Sequence, residues 1–277
     1  MEAFMAIITF SRQVAALGDE IAKTTAKKLG YTFINRQQIE QKILELGFPQ
    51  EKLKNYDEKK PNFFASLVKE RDEYLDYLQT AILESASSGN CVLIGRGASI
   101  ILSQLPNHLS IRCVADTKTR TQRLMEEFSW DEKKALQRIQ ESDLNRAGFH
   151  KSFFNVNNED PALYFLTINS ALLTEEIAAA IVTEACSKQI TLDKENEGKK
   201  KLVEMLEAQH LVNTLTFEHK IAVNFLRAEI NGQEVTLYGV ADSAAISETA
   251  CALSKEILPT KTITSKITVV QDFKSYP

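Results

Sequence analysis

The chain has 277 residues, of which 44% are hydrophobic and 25% are charged, and its formal net charge is −4. These proportions are typical of a globular protein with one or two domains and a buried core. The negative net charge argues against a polybasic nucleic-acid-binding protein, because such a protein needs an excess of Lys and Arg to neutralise phosphates.

The sequence shows neither a targeting signal nor paired cysteines. Residues 1–12 contain a short apolar run that passes directly into polar residues, unlike a secretory signal. No apolar stretch approaches the roughly 20 residues that span a bilayer. The cysteines lie far apart, at Cys91, Cys113, Cys186 and Cys251. This distribution predicts reduced, packed thiols rather than a disulfide framework or a zinc site, and it favours a cytoplasmic protein.

The first 186 residues predict strands that alternate with helices. Strands are expected at 6–10, 31–34, 91–94, 109–114 and 163–168, because these runs are apolar and rich in β-forming residues. Helices are expected at 17–29, 37–46, 62–87, 117–142 and 173–185, with polar loops at 48–61 and 147–161. Uniformly apolar strands between helices indicate an α/β protein whose parallel sheet is covered on both faces.

The composition changes after residue 186. Residues 187–200 are polar and charged, which predicts a linker. The elements expected after it are a helix at 202–211, strands at 220–230 and 234–240, a helix at 243–258 and a strand at 261–270. Asn231-Gly232 is a strong hairpin signal, since both residues tolerate positive φ. We therefore predict a small α+β domain at 201–277 with the order α-β-β-α-β.

The turn between the first strand and the first helix is where a phosphate loop would lie, because helix N-terminal amides can surround phosphate oxygens. The complete motif is G-x-x-x-x-G-K-[ST], in which the Lys binds the β- and γ-phosphates and the hydroxyl binds Mg²⁺. Residues 11–20 keep only Gly18 and place Asp19 and Glu20 at the mouth of the loop. From these residues alone, an ordinary strand–helix junction is the favoured interpretation.

Six segments, in the same order along the chain, resemble the cytidylate kinase-like family. That family typically opens with I-T-I-S-R-x-x-G-S-G-G-x-x-I-A followed by L-G-Y. The matching segments are 8–13 (ITFSRQ) with 18–22 and 29–31, then 94–98 (IGRGA), 100–102, Arg120 with Arg123, Asp143-x-x-Arg146 and 164–170 (YFLTINS). The resemblance covers about residues 5–185 and implies a P-loop fold of the nucleoside monophosphate kinase type, with domain bounds of 1–186.

The resemblance also implies roles by position. It assigns the phosphate loop to Arg12, Ala15, Ala16, Leu17, Gly18, Asp19 and Glu20, acceptor binding to Asn35, Arg36 and Arg96, and catalytic roles in a mobile lid to Arg138, Asp143 and Arg146. Arginines suit such roles because phosphoryl transfer needs positive charge around the transferring group. For Arg123 and Arg138, a plain surface charge is an equally good interpretation.

The phosphate loop departs from the family pattern. Against G-S-G-G the chain has Ala15-Ala16-Leu17-Gly18, and neither alanine nor leucine adopts positive φ cheaply. In a second alignment Gly18 is the last glycine of the motif and Asp19 stands at the lysine position. Either alignment leaves the loop without the lysine of the complete motif, which many family members also lack. Asn35 stands where the family carries an acid. We therefore expect weak or absent ATP turnover.

Residues 201–277 resemble a BON domain. The segment 231–240 (NGQEVTLYGV) is similar to the family core V-x-x-G-x-V-x-L-x-G-x-V, and 267–269 (ITV) is similar to its last strand. The resemblance implies a module that binds a ligand, a lipid or another protein. A small stabilising appendage is the alternative interpretation.

Two functions follow from the sequence. The chain is either a cytidylate kinase-like enzyme that moves the γ-phosphoryl group of ATP to CMP or dCMP with Mg²⁺, or an inactive kinase-fold sensor or scaffold that acts through its BON-like domain. Nucleotides are the expected partners, nucleic acid is not, and a homo-oligomer is compatible with both functions. The histidines show no metal-ligand spacing and are predicted to be exposed: His108, His150, His210 and His219.

Overall fold

A parallel sheet of five strands forms the centre of the molecule. The computed structural model describes residues 5–56 and 68–270. The strands are β1 (Ile7–Arg12), β2 (Thr32–Ile34), β3 (Cys91–Ile94), β4 (His108–Val114) and β5 (Leu166–Asn169), in the order β2-β3-β1-β4-β5. Each neighbouring pair is parallel. The predicted α/β fold with a parallel sheet is confirmed.

Helices cover both faces of this sheet. They are α1 (Gly18–Leu29), α2 (Arg36–Glu45), α3 (Gln50–Leu53), α4 (Val68–Ser87), α5 (Ala98–Ile101), α6 (Thr117–Phe128), α7 (Glu132–Phe154) and α8 (Glu175–Gln189). Successive strand residues point to opposite faces, so Ile7 joins the core under α4 and α7, while Ile8 joins the core under α1 and α8. Residues 62–67 of the predicted fourth helix lie outside the described part of the chain.

The C-terminal part forms a second, smaller sheet. Its elements are α9 (Leu192–Asn213), β6 (Val223–Asn231), β7 (Glu234–Ala241), α10 (Ala244–Ile257) and β8 (Thr262–Val269). β6 and β7 form the expected antiparallel hairpin, with Gly232 at φ 59°, and β8 pairs parallel to β7. Both helices pack against this sheet around one apolar core. The predicted α-β-β-α-β order is therefore present.

Three predicted irregular segments contain helix. The first is the loop expected at 48–61, which holds α3 and whose residues 57–61 lie outside the described part of the chain. Residues 147–154 belong to α7, because Phe149 and Phe153 are buried in the core beside β1 and β3. Residues 187–200 are the end of α8 and the first turns of α9, separated only by 190–191. Thr191 caps α9, and the polar residues that suggested a linker face solvent on a helix. The division into domains at this segment stays a prediction.

The histidine prediction was wrong at two positions. His150 is buried, and its Nδ1 lies 2.8 Å from the carbonyl oxygen of Arg146. His108 is partly buried, 2.7 Å from Thr9 Oγ1, and burial lowers the pKa of its imidazole to about 4. Three of the cysteines are packed in the core as predicted. None of the described helices combines the length and the apolar character needed to cross a membrane.

Candidate functional site

The loop between β1 and α1 holds two side-chain-bearing residues in the left-handed region. Ala15 has φ 57° and Leu17 has φ 53°, whereas Gly18 begins α1 and is not among the residues with positive φ. Glycine is the residue favoured where φ is positive, so these φ values agree with Ala15 and Leu17 standing at two glycine positions of G-S-G-G. The backbone is thus compatible with the first alignment, in which Gly18 stands at the lysine position. No side chain caps the N-terminus of α1.

Arg12 and Asp19 form an ion pair beside this loop. Arg12 Nε donates to Asp19 Oδ2 at 3.0 Å and Nη2 donates to Oδ1 at 3.4 Å. The Arg12 side chain is only 12% exposed, while that of Asp19 is 44% exposed. Glu20 is exposed. The first turn of α1 therefore carries the two acids that the sequence placed there, and one of them is neutralised by Arg12.

Arg123 fastens the loop to the end of β5. Its Nη1 donates to the carbonyl oxygen of Ala15 at 2.9 Å, and its Nη2 donates to the carbonyl oxygen of Ser170 at 2.6 Å. The hydrogen bond to Ala15 holds a loop residue whose backbone has a positive φ. Sequence reasoning left Arg123 undecided between a surface charge and a function. The sequence feature that could have favoured a function for Arg123 is its position on α6, one helical turn after Arg120.

Two arginines share one carboxylate on the opposite side of β1. Arg96 follows β3, has a side chain that is 1% exposed, and forms an ion pair with Glu40. It also donates from Nη1 to the carbonyl oxygen of Tyr56 at 2.7 Å. Arg36 Nε donates to Glu40 at 2.6 Å, and Asn35 caps α2. Burial alone would raise the pKa of the Glu40 carboxyl group, but the guanidinium charges outweigh it and lower that pKa.

Glu40 was not found from the sequence. It is a polar residue within a short helix, and only the fold brings it to Arg96, which is 56 positions away. The predicted acceptor arginines Arg36 and Arg96 are thus brought together. Asn35 serves the helix terminus through a capping box with Gln38.

The lid residues on α7 separate into different environments. Arg138 lies on the exposed face of the helix, 47% exposed, with Glu141 Oε2 3.9 Å from its Nη1. Asp143 accepts two hydrogen bonds from the buried Arg120 on α6, at 3.1 and 2.9 Å. Arg146 donates to Ser142 Oγ at 2.7 Å. The Arg120–Asp143 pair fixes α7 against α6.

One pocket lies at the carboxyl ends of β1 and β3, beneath α7. Such crevices outside the carboxyl ends of parallel strands are where α/β proteins bind ligands. In this structure the pocket is narrow, since the centre of a water-sized sphere can occupy only about 30 Å³ of it. Its polar lining consists of Ser11, Arg12, Arg96, Ser99, Arg146 and His150. Arg12, Arg96 and Arg146, which the sequence assigned to three different roles, therefore face one cavity. Arg138 and Asp143 do not line it.

A further arginine lies beneath the pocket and was missed from the sequence. Arg112 on β4 is 4% exposed and donates from Nη1 to Ser11 Oγ at 3.1 Å and to Tyr164 Oη at 3.4 Å. Its guanidinium also lies over the Tyr164 ring, with 5.4 Å between the guanidinium carbon and the ring centroid. An arginine inside a predicted strand of the sheet was the signal for it. It adds positive charge next to a residue that lines the pocket.

The comparisons with known proteins concern mainly the first sheet. The profile of the cytidylate kinase-like family matches residues 7–172, more than half of the chain. No curated protein matches the sequence. Among solved structures, an uncharacterized protein from Eubacterium ventriosum is 22% identical with a TM-score of 0.54, over 66% of this chain and 99% of that one. At this level of identity the similarity concerns the fold alone.

Two kinases resemble the chain more distantly. A shikimate kinase from Bacteroides thetaiotaomicron is 15% identical with a TM-score of 0.42, over 66% of this chain and 99% of its own. A gluconokinase from Sinorhizobium meliloti is 13% identical with a TM-score of 0.39, over 69% of this chain and 100% of its own.

Proposed function

Because the chain belongs to the cytidylate kinase-like family, we propose that it binds phosphorylated nucleotides in the pocket at the carboxyl ends of β1 and β3. The observation that carries the proposal is the convergence of Arg12, Arg96 and Arg146 on that pocket from a strand, a loop and a helix. Forked guanidinium groups bind phosphate oxygens in pairs, which gives both charge and orientation. CMP or dCMP is the acceptor nucleotide that the family suggests.

The chemistry that we propose is transfer of the γ-phosphoryl group of ATP. An acceptor phosphate oxygen forms a bond to the γ-phosphorus while the bond from that phosphorus to the β–γ bridging oxygen breaks. The arginines hold the reacting groups in line and offset the charge on the transferring group, with no covalent intermediate. Arg123 and Arg112 support this arrangement by fixing Ala15 and Ser11.

Mg²⁺ would accompany the donor nucleotide and neutralise its phosphates. Such an ion needs only one or two protein carboxylates in addition to phosphate oxygens and water. Asp19 and Glu20, in the first turn of α1, are the acids next to the loop. In the described ranges, no three His, Cys, Asp or Glu side chains are grouped as a metal site. The residues therefore suit an ion that arrives with the nucleotide.

Calorimetric titration with CMP, and separately with Mg-ATP, tests the proposal. We expect CMP binding that weakens at least tenfold in Arg146→Ala, because one of three pocket cations is lost. Lys151→Ala is the matched control, since Lys151 is an exposed cation on the same helix. No binding of either nucleotide by the wild-type protein, or equal affinity of the two variants, would contradict the proposal.

A second candidate is an inactive nucleotide sensor or scaffold. Three features favour it. Ala15 and Leu17 replace glycines of the loop. Arg12 and Arg96, which would bind phosphate, already form ion pairs with Asp19 and Glu40. A coupled assay with CMP and dCMP as acceptors separates the candidates. CMP binding without ADP formation supports the sensor, whereas acceptor-dependent ADP formation supports the enzyme.

The C-terminal unit would carry the output of such a sensor. We propose that it is BON-like, because α9, β6, β7, α10 and β8 follow the order of that family. A BON-like unit would associate with a ligand, a lipid surface or a second copy of the chain in the cytoplasm. Sedimentation velocity with and without CMP, together with liposome co-sedimentation, tests these roles.

A further inference from the structure

The side chain of Arg12 passes over the backbone of Gly18. A Cβ atom added at Gly18 would overlap the Cβ of Arg12 and lie 2.7 Å from its Cγ, which is too close for real atoms. Gly18 is the first residue of α1 and has no positive φ, so its backbone conformation does not call for glycine. In this structure, the side chain of Arg12 therefore occupies the space that a side chain at position 18 would need.

The guanidinium end of Arg12 reaches the pocket. Nη1 lies 2.8 Å from the place where a Cβ atom on Gly95 would be, at the end of β3. Asp19 accepts from Nε and Nη2, and among residues 5–56 and 68–270 Nη1 forms no hydrogen bond. Arg12 thus extends from the start of α1 to the end of β3, 12% exposed, with one donor group directed at the pocket lining.

Arg12 and Gly18 stand at two defining positions of the phosphate-loop motif, the first glycine and the lysine. With Leu17 at the second glycine of G-x-x-x-x-G-K-[ST], the first glycine falls on Arg12 and the lysine falls on Gly18. The chain therefore carries a cation where the motif has glycine, and glycine where the motif has its cation. Because one side chain would fill the space of the other, the two changes are sterically coupled.

We propose that Arg12 has taken over the role of the loop lysine and binds the β- and γ-phosphates of a nucleoside triphosphate donor. This inference rests on the proposed nucleotide binding and adds the residue that would hold the donor. An arginine at the end of β1 reaches the same space from the strand side that a lysine reaches from the helix side. Its forked guanidinium can bind two phosphate oxygens, where an ammonium group acts as a point charge.

The test is a double-mutant cycle in the full chain, with Mg-ATP affinity measured by calorimetry and stability by thermal unfolding. Arg12→Gly should lose at least tenfold in Mg-ATP affinity. Gly18→Lys should lower the melting temperature, because the new side chain meets Arg12. The double variant Arg12→Gly/Gly18→Lys should regain Mg-ATP affinity to within a few-fold of the wild type and recover the melting temperature lost in Gly18→Lys.

Arg12→Gln keeps the packing over Gly18 without the charge, so it reports on binding even if Arg12→Gly folds poorly. It should lose Mg-ATP affinity as Arg12→Gly does, while CMP affinity falls less. Wild-type Mg-ATP binding that is unchanged in Arg12→Gln, or a double variant that binds no better than Arg12→Gly, overturns the inference alone. A wild-type protein that binds CMP but not Mg-ATP also overturns it and leaves acceptor binding standing. A wild-type protein that binds neither nucleotide overturns the proposed function as well.

Discussion

Ala15 and Leu17 adopt a backbone conformation in which Cβ approaches the following carbonyl group. The left-handed conformation costs a residue with a side chain about 1–2 kcal/mol relative to the right-handed one. Two such residues within three positions store strain in one turn, and Arg123 holds the turn through the carbonyl oxygen of Ala15. Strain of this kind persists only where surrounding contacts determine the conformation.

Replacement of Ala15 by glycine should therefore stabilise the protein. We expect the free energy of unfolding to rise by about 1 kcal/mol, because relief of the strain exceeds the entropy that glycine adds to the unfolded chain. Thermal unfolding should show a melting temperature about 2–4 °C higher. Ala16→Gly is the control, since Ala16 has no positive φ, and it should destabilise the protein. A lower melting temperature for Ala15→Gly would show that the loop is not strained.

The Arg96–Glu40 ion pair gives a second prediction at this scale. Arg96→Ala should lower the free energy of unfolding by about 3 kcal/mol, because it leaves Glu40 partly buried with less compensation. Chemical denaturation of Arg96→Ala, Glu40→Ala and the double variant measures this. The double variant should lose less than the sum of the two single losses. Lys188→Ala, from an exposed ion pair with Glu184, should change stability by less than about 0.5 kcal/mol. Additive losses would contradict the coupling.

At the scale of elements, α9 joins the two sheets. Leu202 packs in the core beside β1 and β3, whereas Leu211, nearer the end of the same helix, packs in the core of the small sheet. Polar contacts align α9 with α4: Gln209 Nε2 donates to Asp76 at 3.2 Å, and Asn213 Nδ2 donates to Thr80 at 2.9 Å. The sequence did not predict that one helix contributes to both cores, because the first turns of α9 are charged and were predicted to be a linker.

The Asp76 carboxyl group should make this contact depend on pH. Burial, together with the charge of Asp72, raises the pKa of Asp76 to about 7, and the hydrogen bond from Gln209 opposes that rise only in part. In the unfolded chain the same group has a pKa of about 3.9. Between those two values the unfolded state releases its proton first, so this group makes the fold less stable as pH rises from about 4 to 7.

Asp76→Asn should remove this dependence. Its melting temperature should exceed that of the wild type at pH 8 and approach it near pH 4.5, because the neutral amide has no charge to bury. The difference between the two proteins, measured by thermal unfolding at each pH, isolates this group from all others. Asp242→Asn, at an exposed position, is the matched control. If the melting temperatures of Asp76→Asn and the wild type differ by the same amount at pH 4.5 and at pH 8, the prediction is contradicted.

At the scale of the whole molecule, the shared helix should couple the unfolding of the two sheets. Truncation before α9 would expose the apolar residues of α4 and α7 that pack against Leu202, Met205 and Leu206. We expect differential scanning calorimetry of the full chain to show one cooperative transition. We also expect a fragment of residues 1–190 to melt at a lower temperature. Two separate transitions, the first leaving the parallel sheet intact, would show that α9 does not link the cores.

The order of helices and strands was decided by local sequence. Apolar runs, glycine at Gly30 and the Asn231-Gly232 turn each specify structure within a few residues, so the parallel sheet and the small antiparallel hairpin could be predicted. The secondary-structure predictions were wrong where a polar segment was compatible with either a loop or an exposed helix. Residues 147–154 and 187–200 are polar enough for loops, but burial of a few side chains on one face keeps them helical.

The pocket was decided only by the tertiary structure. The family pattern drew attention to Arg12, Arg96 and Arg146, yet nothing local indicates that they face one cavity or that Arg138 lies outside it. Arg112, Glu40 and the contact of Arg12 with Gly18 depend on which strands are neighbours and on where each side chain ends. Electrostatic and steric interactions act through space, so residues far apart in the chain determine the charge and the room that a phosphate would meet.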